Sequence, residues 1–204
     1  MANLSLRCEC GTVTALVHNV SAANGNHIVC YCNDCQAFAR YLGKAQAVLD
    51  EQGGTRIFQT AAANVSFTKG RDRLACVKLS PKGILRWYAD CCKMPIGNTL
   101  GSPALPFVGL IHASLQDGPG GASRDAALSP VRGAVFARFA RGGPAQLKHK
   151  EIGFLPMMAR FARLMLMARW RGDHKRSPFF KAEGKPIAVP HVMSEVERSK
   201  AYTT

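Results

Sequence analysis

Seven of the eight cysteines in this 204-residue chain fall into three tight groups: "CEC" at 8–10, "CYCNDC" at 30–35 and "CC" at 91–92. Thiols this close together are paired, bound to metal or kept reactive, so they limit the folds open to the chain. The start, "MANLSLRCECG", has no basic segment leading into an apolar one, as a secretory signal would. No apolar run approaches the ~20 residues of a membrane-spanning helix. The expected compartment is the cytoplasm. In that reducing setting, clustered cysteines are metal ligands or catalytic thiols more often than disulfides.

The chain is 47% hydrophobic, enough for one good core. Residues 1–115 read as a mainly β unit. "TVTALVHNV" (12–20) alternates like a half-buried strand, and "NVSFTKG" (64–70), "RLACVKLS" (73–80), "GILRWYAD" (83–90) and "PFVGLIHASL" (106–115) continue the pattern. One helix is expected at "CQAFARYLGKAQAVLD" (35–50), with a break at Gly43. Residues 116–204 read as a basic C-terminal extension, beginning with the Gly-rich "QDGPGGASR". Its helix candidate is "FLPMMARFARLMLMARWRG", near 154–171, with Gly172 as the stop. Arg160, Arg163 and Arg171 fall on one side, and apolar residues cover most of the rest. Such a helix packs on a core, a partner, its own twin in a homodimer, or a membrane surface.

The net charge of +14 is concentrated late. Residues 1–130 carry 12 basic and 8 acidic side chains, and residues 131–204 carry 15 and 5. A basic region suits an anionic partner. With no C2H2 spacing and no aromatic-interleaved basic stripe, nucleic acid is not the favoured one.

Zinc wants four ligands, and its thiolate bonds are ~2.3 Å long. "CECG" offers two thiols, with Gly11 free to turn the backbone. Two thiols do not close a site, and Cys91 and Cys92 are the distant pair left to complete Cys8 and Cys10. Cys30, Cys32 and Cys35 make three ligands from one loop. Three protein ligands with a vacancy is the pattern of catalytic zinc. Two alternatives stand beside it: a second structural site completed by Cys76, Cys91 or Cys92, and a Cys32–Cys35 disulfide. Cys76, alone in a strand pattern, reads as a small buried hydrophobe.

The order "CECG" (8–11), "CYCNDC" (30–35) and "WYADCCKMPIGN" (87–98) resembles the glutathione-dependent formaldehyde-activating enzyme family, whose relatives include the centromere protein V group. The resemblance covers roughly residues 5–115. It implies a β-tent of antiparallel sheets with two zinc ions. One would be structural, on Cys8, Cys10, Cys91 and Cys92. The other would be labile and catalytic, on Cys30, Cys32 and Cys35. The implied activity is carbon–sulfur lyase chemistry on S-hydroxymethyl-type thiol–aldehyde adducts, with glutathione a candidate thiol. The family's last motif is Cys-x-x-Cys-Gly. Here Cys91 must stand in for its first cysteine, and Lys93 replaces the glycine. Neighbouring strand residues point to opposite faces, so Cys91 and Cys92 can share a metal only if the backbone turns there.

Cys32 and Asp34 are the candidate catalytic residues. Asp34 would relay a proton, or else only cap the helix after it. Lys69, Arg71 and Arg73 would meet a substrate carboxylate, or else form a solvated hairpin tip. The histidines are scattered, and His27 is nearest the loop. The alternative to an enzyme is a zinc-binding module whose basic region binds a partner.

Overall fold

A computed structural model describes residues 1–203. The strands are β1 (Ala2–Arg7), β2 (Thr14–Val20), β3 (Asn26–Cys30), β4 (Thr55–Ala61), β5 (Val65–Lys69), β6 (Leu74–Lys78), β7 (Leu85–Ala89), β8 (Pro95–Thr99), β9 (Phe107–Ile111), β10 (Leu115–Gln116), β11 (Ala134–Val135) and β12 (His191–Val192). The helices are α1 (Asn33–Tyr41), α2 (Ala45–Val48), α3 (Arg124–Leu128), α4 (Phe154–Trp170) and α5 (Glu195–Thr203). The fold is mainly β, as expected. The helix expected over 35–50 is α1 and α2, parted where Gly43 takes φ 66°.

Two sheets form. One has the order β10-β1-β2-β5 and the other β11-β3-β4-β9-β8-β7-β6-β12. Pairing is antiparallel except at the two ends of the larger sheet, where β11 runs parallel to β3 and β12 to β6. The basic C-terminal segment thus supplies both edge strands. It also sends Phe179 and Phe180 into the main core. That core lies between the sheets, where Leu4, Leu6 and Val17 meet Phe58, Trp87, Ile96 and Leu110. Alternation decides the faces. Leu85, Trp87 and Ala89 of β7 enter the core, which sends Arg86 and Tyr88 to the opposite face.

Helix α4 turns its arginines toward the protein. Arg160 donates to the carbonyls of Ala22 and Gly25, the latter at 2.7 Å, and Arg163 reaches the carbonyl of Ala23. Leu164, Met165 and Ala168 are buried, while Phe154, Leu155, Leu166 and Trp170 are exposed. Gly172, at φ 75°, ends the helix in the left-handed conformation that glycine adopts at little cost. No helix among the described residues is long and apolar enough to cross a membrane.

Candidate metal centres and the cleft beside them

The first and last cysteine groups meet. Cys8 follows β1, and Cys91 and Cys92 sit in the turn between β7 and β8, so the cluster joins the two sheets. The Sγ separations are 3.6 Å for Cys8–Cys10, 3.9 Å for Cys8–Cys91 and 3.3 Å for Cys10–Cys91. Cys92 completes a set of four thiols within 4.8 Å of one another. Four sulfurs at ~2.3 Å around one zinc would stand about 3.8 Å apart, so the set fits a metal. Two backbone features shape it. Gly11 takes φ 76°, and the Val13 amide donates to Cys8 Sγ at 3.2 Å. The turn that two adjacent cysteines require is present, with Lys93 at φ 58°, a conformation costly to any residue with a Cβ. Lys93 therefore occupies a position that suits the glycine of the resembled motif. Hydrogen bonding to Thr12, and then to Cys91, pulls the Cys10 thiol down to about 6.

The middle group gathers separately. Cys30 ends β3, Cys32 caps α1, and Cys35 lies in that helix's first turn. The Cys35 amide donates to Cys32 Sγ at 3.4 Å, so a thiol performs the capping expected of Asp34. Cys30 Sγ is 3.4 Å from Cys32 Sγ and 3.7 Å from Cys35 Sγ, again near a tetrahedral edge. Among the described residues, this group holds three donors rather than four. Cys76 is elsewhere, buried in the main core. No disulfide forms among the eight cysteines. Hydrogen bonding with Cys30 and with Cys32, and then the nearby Arg86 charge, hold Cys35 well below the usual thiol range. Sharing the same bonds pushes Cys30 up.

Arg86 is the functional-site residue that sequence reasoning missed. Its guanidinium is buried, with Nη1 3.9 Å from Cys35 Sγ and 3.5 Å from Asn98 Oδ1, and Nη2 3.4 Å from Asp34 Oδ2. Burial opposes its charge, but Cys35, Cys32 and Asp34 outweigh that and raise its pKa. Register explains the placement. Asn26 pairs with Gln59, Gln59 with Gly109, Gly109 with Asn98, and Asn98 with Arg86. Directly opposed residues share a face, so one row of polar side chains, interrupted by Gly109, crosses five strands on the side away from the core. The strands β3 and β7 stand four places apart in the sheet. Their side chains nonetheless meet at Cys35, so the sheet curls around this face. The sequence held one signal: Arg86 is the sole charge in "GILRWYA".

A cleft of about 360 Å³ opens beside the three thiols. Its sheet side includes Ile28 and Ile57, and α4 contributes Met157, Met158 and Phe161. Gln59, Arg86 and Asn98 are its polar groups. Asp34 is not in the lining. Its two carboxylate oxygens receive Arg86 and the Tyr202 hydroxyl of α5. Lys69, Arg71 and Arg73 are not in the lining either, and Arg71 donates instead to the Pro178 carbonyl at 2.9 Å. His27 stacks on His112 with ring centroids 5.7 Å apart, and its Nδ1 lies 2.9 Å from the Ser129 carbonyl oxygen. Strand alternation puts its side chain on the face of β3 opposite Ile28 and Cys30 neighbours in the cleft.

No curated protein sequence matches the chain. Among solved structures, a crystal structure of a Rhodobacter sphaeroides protein is similar at 17% identity and a TM-score of 0.38, over 62% of this chain and 96% of that one. A family model described as a family of unknown function, DUF6151, matches residues 1–190, and the chain belongs to that family.

Proposed function

We propose that the protein is a zinc-dependent carbon–sulfur lyase acting on thiol–aldehyde adducts, the activity implied by its likeness to glutathione-dependent formaldehyde-activating enzymes. The observation that carries this reading is the three-thiol group: one donor short of a closed site, and opening on a cleft of small-molecule size. Zinc held by three thiolates would bind a fourth, exchangeable thiolate and keep it deprotonated.

The rest falls to the chain's own residues. Cys30, Cys32 and Cys35 would hold the metal at the cleft wall. Arg86, fixed by Asp34 and Asn98, sets a positive charge beside the thiolates and offsets the negative charge gathering there as a substrate sulfur arrives. Asp34, which faces Arg86 and Tyr202, is in this account a positioning residue for the guanidinium. In the reaction R–S–CH2–OH → R–SH + CH2O, the carbon–sulfur bond breaks with its electron pair going to sulfur. The hydroxyl oxygen becomes the carbonyl oxygen, and the hydroxyl proton ends on the thiol by way of solvent.

The test is Cys32→Ser. It should abolish cleavage of an S-hydroxymethyl thiol and remove one zinc while retaining the other. Undiminished cleavage by this variant would overturn the proposal.

A further inference from the structure

The proposed function leaves the thiol open, and the resemblance points to glutathione. We propose that the cleft selects a small apolar thiol, alkyl or aryl, or its aldehyde adduct, rather than glutathione. The inference rests on the lyase reading and deepens it.

Three observations converge. First, the walls are hydrocarbon or thioether on both sides, with Ile28 and Ile57 facing Met157, Met158 and Phe161. Second, the polar groups are few, and the charged one is already engaged. Gln59 Oε1 accepts from Asn26 at 2.9 Å, and Arg86 is shared among Cys35, Asn98 and Asp34. Arg86 is the one charged residue in the lining among the described residues. Glutathione would bring two carboxylates and an ammonium group. Among the described residues, the lining holds no carboxylate for the ammonium, and its one cation, Arg86, is already shared. Burying a charge without a partner is strongly unfavourable, and leaving the ionic ends in water forgoes the contact the walls offer. An alkyl or aryl body loses nothing there. Third, the wall is of this chain's own making. Met157, Met158 and Phe161 lie on α4, outside the 5–115 region that carries the resemblance. The C-terminal segment thus adds an apolar wall to a site built by the first half, and unbranched methionines adapt to ligands of varied shape.

The test uses the full-length, zinc-loaded protein labelled with 13C at its seven methionine methyl groups. Benzyl mercaptan and glutathione are titrated separately while the Met157 and Met158 signals are followed. Benzyl mercaptan should move both signals at a concentration at least about tenfold below glutathione. Met158, partly exposed and so tolerant of change, gives the second arm. Met158→Lys should narrow that preference by about tenfold by placing a cation in the wall. Glutathione moving the signals at equal or lower concentration would overturn the apolar assignment and leave the lyase reading standing. Failure of both thiols to move any methionine signal would overturn the two together.

Discussion

The two cysteine clusters invert the usual link between exposure and reactivity. The four-thiol cluster is the more exposed, with Cys10 and Cys91 open to solvent, yet its donor set is complete. The three-thiol cluster buries Cys30 and Cys35, yet it lacks a fourth donor and faces a cleft. Under the proposed function, substrate access would depend on donor count and the adjoining cavity. The clusters also differ in reach. Cys8 and Cys91 lie 83 residues apart and tie one sheet to the other, whereas Cys30 and Cys35 are only 5 apart. Closing the long loop removes far more freedom from the unfolded chain. In the proposed two-zinc protein, the four-thiol cluster would therefore be the one that holds the fold, and the three-thiol cluster would be free to exchange its metal.

The largest expected effect separates the two clusters directly. Cys8→Ser should cost about 4–5 kcal/mol or more in urea unfolding, the range of a lost structural metal site. Cys32→Ser should cost less than half as much. Equal losses would make both clusters structural.

Next comes Arg86→Leu, which touches only the three-thiol side. Removing a buried charge from its partners costs about 3–5 kcal/mol. Asp34 is half exposed and recovers hydration, so a loss near the lower figure is expected. The variant should also weaken the more labile zinc while sparing the tightly held one. Weakening of both metals alike would show that Arg86 acts through the fold as a whole.

The smallest effect lies on the four-thiol side. Lys93→Gly relieves a left-handed backbone but gives up the exposed ion pair with Asp90. A net gain of at most about 1 kcal/mol is expected, read as a raised thermal midpoint. A drop would mean that the Asp90 contact fixes the turn.

What the sequence disclosed was mostly local. The grouping of the cysteines, the turn at Gly11, the helix break at Gly43 and the strands flanking "PKG" all follow from neighbours in the chain. What it concealed depends on partners far away. Arg86 joins the site only through the register of five strands and the curl of the sheet. Asp34 does not cap α1, because Cys32 does so with its sulfur and leaves the carboxylate to Arg86 and Tyr202. The sequence placed Arg160, Arg163 and Arg171 on one side of α4 and left open what that helix packs on. Backbone carbonyls at residues 22, 23 and 25 draw Arg160 and Arg163 inward beside the buried Leu164, Met165 and Ala168, while Phe154, Leu155, Leu166 and Trp170 stay exposed.

The central claim is that a closed four-thiol site and an open three-thiol site coexist in one chain. Zinc release is its most direct test: purified full-length protein is challenged with a chelator, and the metal remaining is counted over time. The account predicts two zinc ions per chain, one leaving quickly and one retained. Adding Cys32→Ser should delete the fast phase alone. A single zinc, or two released together at one rate, would contradict it.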